Sequence, residues 1–271
     1  MLPMSPGASG PRRRGHGLLV ALALSALAGG RAPAGAEPGP PSLQESQPGA
    51  SAPGARRLAV GAHVYQNDVA GRGMNPMTTP PVDTQPSGST FVLFAGSGIS
   101  GETAFEAVAD SVGNAYAEVG VPQRYANGEG ELRAFVCERC RGGKGHTFSL
   151  RKAESLSNWE TVLFAVEVLG GPSLEAFAQA EATSSPLSAG PVTTRKSGDL
   201  LLACALAASY GTPDVYAASA GFTVLDEQKN GMNSLGGADA WALAGAPGPY
   251  AAALTSSLAS SGAVFLVALS P

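Results

Sequence analysis

From about Arg57 to the C-terminus the chain is written as short apolar runs, each closed by a cluster of Gly, Pro, Ser or Asn. Runs of this length are too brief to be amphipathic helices, and the turn residues between them reset the chain direction every ten residues or so. The spacing predicts strands at 58–66, 90–95, 115–119, 132–137, 147–150, 161–169, 176–182, 199–207, 222–226, 240–244, 250–255 and 263–269. The runs VLFAVEVL (162–169) and AVFLVAL (263–269) are continuous rather than alternating, as expected of strands buried on both faces. The one stretch with a helical period, 101–113, is read as a bulged strand because nothing around it is helical. The fold expected from this spacing is all-β, an antiparallel two-sheet sandwich or a barrel, not βαβ units.

Composition narrows the function classes. The 36 Gly and 21 Pro make up about a fifth of the 271 residues, and only 14% of the chain is charged, against about 25% in ordinary soluble proteins. Such a chain is neither a charge-laced coiled coil nor a basic nucleic-acid binder, and its 44% hydrophobic content is enough for a packed core.

The first 36 residues read as a secretory signal peptide. Arg12, Arg13 and Arg14 precede an uncharged apolar run at 18–27, and small residues with A-x-A spacing follow at Ala32 to Ala36, with Ala34 and Ala36 as alternative ends. The run is about half of what a membrane-spanning helix needs, so the expectation is an exported protein, secreted or held in the envelope, with no transmembrane span after cleavage. Removing 1–36 takes away four arginines and no acid, which lowers the formal charge from −4 to −8. An acidic surface repels nucleic-acid and anionic-lipid phosphates. Residues 37–56, rich in Pro, Gly, Ser and Ala, read as a flexible linker, leaving 57–271 as the folded domain.

That domain contains two related halves, about 57–170 and 171–271. PVDTQPSG (81–88) matches PVTTRKSG (191–198) at five of eight positions, and each leads straight into an apolar strand. Further on, Tyr116 answers Phe222, Phe135 answers Trp241, Phe148 answers Leu254 and Phe164 answers Phe265, in unbroken order. One sandwich to which both halves contribute is the expected assembly.

The segment Asp110-Ser111-Val112-Gly113-Asn114-Ala115-Tyr116, preceded by GSTFVLFAG and followed by ELRAFV, resembles uncharacterised jelly-roll-like β-sandwich modules of bacterial secreted proteins and phage fibres. Gly221-Phe222-Thr223 and the closing apolar strand extend the resemblance over most of 80–271. It implies a surface or binding role and brings no catalytic residues with it.

Candidate chemistry is sparse. Cys137 and Cys140 are spaced for a metal site but lack a fourth ligand beyond His146. In an exported protein a disulfide is the natural alternative, provided the strand turns before Cys140, since i and i+3 on an extended strand lie about 10 Å apart. Cys204 sits in an apolar strand and reads as a buried small hydrophobe. Gly96-Ser97-Gly98-Ile99-Ser100-Gly101 has the G-x-G-x-x-G spacing without the βαβ context that dinucleotide binding requires. Asp110 and Asn114 read as turn formers, with Ca²⁺ ligation by Asp110 as the chemical alternative. His63 lies on an alternating strand, and no Ser has Gly at both −2 and +2. Trp159 and Trp241 read as core. Tyr210, Tyr216 and Tyr250, near loops of the second half, are candidate ligand-binding rings. The function expected is a non-catalytic surface or binding module for a glycan or cell-surface component, with no catalytic residues and no resident cofactor or metal. Two rival readings are a hydrolase using loop carboxylates such as Asp110 and Glu118, and a structural module of an envelope or filament assembly.

Overall fold

The computed structural model describes residues 57–68, 72–98, 105–126, 130–153, 160–208, 215–229, 235–258 and 261–271. The leader, the linker, Trp159 and Tyr210 lie outside them. Eight strands come from the first half: β1 (Ala59–Asn67), β2 (Met77–Thr78), β3 (Ser87–Ser97), β4 (Phe105–Asp110), β5 (Ala117–Tyr125), β6 (Gly130–Arg141), β7 (Phe148–Lys152) and β8 (Thr161–Leu169). Eight follow from the second: β9 (Ser173–Ala182), β10 (Leu187–Thr194), β11 (Leu200–Ala208), β12 (Tyr216–Ala218), β13 (Thr223–Gln228), β14 (Leu235–Leu243), β15 (Gly248–Ser256) and β16 (Gly262–Ser270). All ladders between them are antiparallel.

The first half forms a five-stranded sheet, β1-β8-β3-β6-β5, and a three-stranded one, β2-β7-β4. In the second half the orders are β9-β16-β11-β14-β13 and β10-β15-β12. Matching β1 to β9, β2 to β10 and so on makes the two sets identical, and each is a jelly-roll order with its fifth strand added to the larger sheet. The all-β sandwich is therefore what the chain forms, but the expected single sandwich shared by both halves is replaced by two. Each half packs its own small sheet on its own large one, and the large sheets then pack against each other.

Three cores result. Phe91, Leu93 and Ala95 of β3 point with Phe148 and Leu150 into the first outer core, while the alternate residues Val92 and Phe94 point into the middle one. On β11, Leu201, Ala203 and Ala205 fill the second outer core, and Leu202, Cys204 and Leu206 meet Val92, Phe94, Phe164 and Phe265 in the middle. Strands buried on both faces explain the continuous apolar runs. Closeness between the halves requires glycine at position 96, where a methyl would overlap the Leu206 side chain; Gly237, paired with Leu206 within the second half's own sheet, leaves that side chain equally little room. Gly96 is thus the notch that admits Leu206, which accounts for the first glycine of the G-x-G-x-x-G spacing without any nucleotide.

The large sheets are paired so that edge strands of different halves meet. At one seam Asn67 and His63 of β1 bond to Gln228 and Asp226 of β13. At the other, Gln179 of β9 bonds to Val121 and Gln123 of β5.

Register corrects one of the proposed equivalences. Phe94 opposes Phe164 as Cys204 opposes Phe265, so Leu93 corresponds to Ala203. Phe135 faces Leu93, but Trp241 faces Leu202. Trp241 therefore answers Val136, not Phe135. A slip of one residue changes the face: Phe135 packs on the first outer core and Trp241 on the middle one. Of the stretch read as a bulged strand at 101–113, residues 105–110 form β4, with a register shift between Phe105 and Ala107, and 111–113 belong to the turn that follows; 101–104 lie outside the described residues. The short strands β2, β10 and β12 escaped sequence reading. β10 carries Gly190-Pro191 at a register shift on a sheet edge, where proline is tolerated.

Candidate functional site

At one end of the first sandwich, three loops are tied together by a buried polar cluster. Asp110 ends β4, and its side chain is fully enclosed. Its Oδ1 accepts the backbone N–H groups of Val112 (3.1 Å) and Asn114 (3.0 Å). Its Oδ2 accepts the Asn114 amide (2.6 Å) and the Tyr116 hydroxyl (2.8 Å). This is an Asx-type turn, locked by the DSVGN sequence, in which Gly113 takes a positive φ of 75°. Asn114 extends the tie to β6, donating to the Arg141 carbonyl and accepting from its N–H. Burial alone would raise the Asp110 pKa, but the hydrogen bonds from Asn114 and Tyr116 and the nearby His146 outweigh it, and the carboxyl is held below its ordinary value. Burial, then the Asp110 charge, pushes the Tyr116 hydroxyl far up, so it stays a donor.

His146 completes the cluster. Its ring packs between Phe91 and Phe148, with Nε2 3.3 Å from Asp110 Oδ2 and Nδ1 3.0 Å from Thr84 Oγ1. Thr, His and Asp in series invite comparison with a hydrolytic triad, but Thr84 Oγ1 is already engaged with both peptide groups of Gly143. The cluster pins loops. With both Asp110 oxygens taken by protein donors, its donor set does not suit Ca²⁺, which wants several free oxygens.

Next to this cluster lies an open cleft of about 530 Å³. Tyr116 and Glu118 form one side, Val136, Glu138 and the Cys137–Cys140 pair another, and Leu174 at the start of β9 contributes from the second half. The two cysteines are disulfide-bonded, with their Cα atoms 5.9 Å apart. The approach that extended geometry forbids is achieved by a bulge within the strand and not by a turn before Cys140. Cys137 faces Phe91 and Cys140 faces Ser89, so Glu138 and Arg139 together oppose Thr90, and Arg139 adopts a φ of 51°. The bulge sends Glu138 outward, where its Oε1 accepts the Leu174 N–H at 2.8 Å.

The second half lacks this end cluster. Val82 bridges His146 as Val192 pairs with Tyr250, so Tyr250 stands where His146 does; its hydroxyl closes a local loop onto Ala246. β12, the counterpart of β4, is the short strand Tyr216–Ala218 and carries no carboxylate. Tyr216 is buried in the second outer core, a correction to its reading as a solvent-facing ring. Asp110, Asn114 and the disulfide are brought together around Tyr116, while Tyr250 lies in the other half.

Other buried ionisable groups serve the scaffold. Glu167, a lone acid in the run VLFAVEVL, accepts from Gln85 N–H, Ser89 hydroxyl and Ala62 N–H. Lys152, almost wholly buried, pairs with Asp68 at 2.9 Å. Burial raises the buried Asp239 carboxyl well above its usual range, and the neighbouring Asp226 adds to the rise. Asp239 accepts the N–H of Asp226. Sequence reading missed all three. An acid inside an otherwise apolar strand was the signal that could have found Glu167 and Asp239.

Neither a family model, nor a curated protein, nor a solved structure matches the chain. Among the described residues no helix is long and apolar enough to cross a membrane.

Proposed function

We propose that the chain is an exported, non-catalytic attachment module that binds glycan at the cleft of its first sandwich. The observation that carries this reading is the break in internal symmetry. The two halves share every strand, yet the half that bears the cleft also bears the clamp of Asp110, Asn114, Tyr116, His146 and Thr84. The clamp fixes the start of β5, which walls the cleft, and a preorganised wall binds at lower entropic cost. The carboxylate that a hydrolase reading would recruit, Asp110, is saturated by its own turn, which supports binding over turnover. The leader of 36 residues supports export.

The purified chain applied to a glycan array tests the reading, with products of any bound glycan followed by mass spectrometry. Binding with the glycan recovered intact is the expected result. Cleavage of the glycan overturns it. Absence of any glycan ligand, together with multimers on a sizing column, would favour the assembly reading instead; Val121 and Phe177, which are 63% and 45% exposed on the neighbouring edge strands β5 and β9, are the surface such contacts would use.

A further inference from the structure

The geometry points to the Cys137–Cys140 disulfide as a redox latch on the joint between the two sandwiches: while the bond is closed the β6 bulge holds residues 170–174, and a dithiol reductant opens the bulge and releases them. The inference goes beyond glycan binding and does not depend on it.

The bulge is not something the fold requires. In the second half the equivalent ladder, β11 on β14, runs from Leu200 to Ala208 without a register shift, and Leu200 faces Leu243 one to one. In the first half the same point of the ladder, Thr90, has both Glu138 and Arg139 opposite it. Arg139 is left-handed there, which is unfavourable for a residue with a side chain. The bridge holds it so: the Cα atoms of Cys137 and Cys140 are 5.9 Å apart, where an unconstrained extended strand would set them about 10 Å apart. Cross-linking so short a loop removes little freedom from the unfolded chain. The bond therefore acts locally, on the shape of the bulge, and not as a staple of the whole fold.

What the bulge holds is the joint. Gly170, Gly171 and Pro172 carry the chain from β8 of the first half to β9 of the second. Glu138 Oε1 accepts the Leu174 N–H at 2.8 Å. On the facing strand, Thr90 Oγ1 donates to the Pro172 carbonyl and accepts the Arg139 N–H at 3.5 Å. Both residues of the bulge thus reach the connection, one directly and one through Thr90.

The bridge can be reached without unfolding. Cys137 and Cys140 line the open cleft beside Leu174, and they keep 4% and 7% exposure against none for Cys204. A thiolate of the dithiol attacks one sulfur from the cleft; the S–S bond breaks and a mixed disulfide forms. The second thiol of the reductant then displaces the cysteine, and the reductant leaves as its own disulfide. Two electrons and two protons pass to the protein, and both cysteines end as thiols. Arg139 then returns to the extended region, the Cys137–Cys140 segment lengthens and Glu138 withdraws from Leu174.

Amide hydrogen exchange of the full chain with and without dithiothreitol, alongside iodoacetamide labelling mapped by mass spectrometry, tests the latch. Under native conditions reduction should open Cys137 and Cys140 to labelling while Cys204 stays unmodified. Exchange over 139–141 and 173–175 should speed up about tenfold or more, the loss of one bond to a charged acceptor, with β11 unchanged. Cys137→Ser with Cys140→Ser should exchange as fast without reductant, and Glu138→Ala should do so at 173–175 alone with the bridge intact. If the serine pair fails to fold, the reduced natural chain supplies the measurement. Labelling of Cys137 and Cys140 only together with Cys204 would make the bond a staple of the global fold and overturn the latch. Selective reduction that leaves exchange at 173–175 unchanged would overturn it equally.

Discussion

If the two large sheets pack as described, Gly96→Ala has an unusual sign. A glycine inside a strand normally gains stability when replaced by alanine, by about 0.5–1 kcal/mol, because the backbone has less freedom to lose. Here the added methyl would overlap the Leu206 side chain and lie 3.3 Å from Val162 Cγ1. Leu206 is wholly buried in the middle core, between Gly96 and Gly237, and cannot yield cheaply. Overpacking of this kind costs about 1–3 kcal/mol. Leu206→Ala alone opens a cavity at a cost of about 2–5 kcal/mol. In the double variant the methyl introduced at position 96 enters space that Leu206 vacates, so the combined loss should fall short of the sum by about 0.5–3 kcal/mol. Urea unfolding followed by the fluorescence of Trp241, which packs on the same core, gives all three values. A stabilising Gly96→Ala, or strict additivity of the pair, would refute the back-to-back arrangement of the halves.

Three further outcomes follow from the buried groups. Asp110 has a folded-state pKa below its unfolded one, so its contribution is present above about pH 4 and is lost as pH falls through the depressed value; Asp110→Asn should cost about 1–3 kcal/mol at neutral pH and flatten the acid limb of a stability–pH curve, and an unchanged acid limb would contradict the clamp. Glu175 is shifted the other way, by burial first and then by its shared hydrogen bond and charge repulsion with Asp199, against the opposing Arg195. Its contribution is present below the unfolded carboxylate value and lost as pH rises through the folded one, so Glu175→Gln should stabilise the protein near neutrality and lose that advantage in acid, as read by denaturant midpoints across pH. Cys204, free and buried with its pKa pushed up by burial and Asp239, should resist a thiol reagent until the chain unfolds, when one thiol reacts without reductant and three with it; a thiol reacting in the native protein would contradict its place in the middle core.

Much of this architecture was legible because burial on two faces leaves a plain trace. Residues 161–169 and 263–269 are apolar at almost every position, and they are the strands with a core on each side. The repeat was legible for the same reason, since paired turns and strands must recur when a fold recurs. What escaped depends on register and on backbone dihedrals, which residue identity records poorly. Trp241 matches Phe135 by aromatic character and Val136 by position. The Cys137–Cys140 bond was foreseeable, but the bulge that permits it rests on a left-handed Arg139, a conformation rare for a residue with a side chain. At the site, the turn chemistry of Asp110, Gly113 and Asn114 could be read from the sequence. The approach of His146 and Thr84 from loops 36 and 26 residues away in either direction could not, because only the folded topology brings those loops to one end.

Joining two jelly rolls in one polypeptide changes what their shared face can become. In a symmetric dimer each substitution appears on both sides of the axis at once, and a useful change at one seam is bound to its copy at the other. A covalent tandem keeps the contact at high effective concentration while letting each copy drift by itself. An imidazole–carboxylate pair could thus settle along one border while an amide and two bare apolar side chains occupied the opposite one, and a clamped loop cluster could arise in one copy while its sibling kept the plain scaffold.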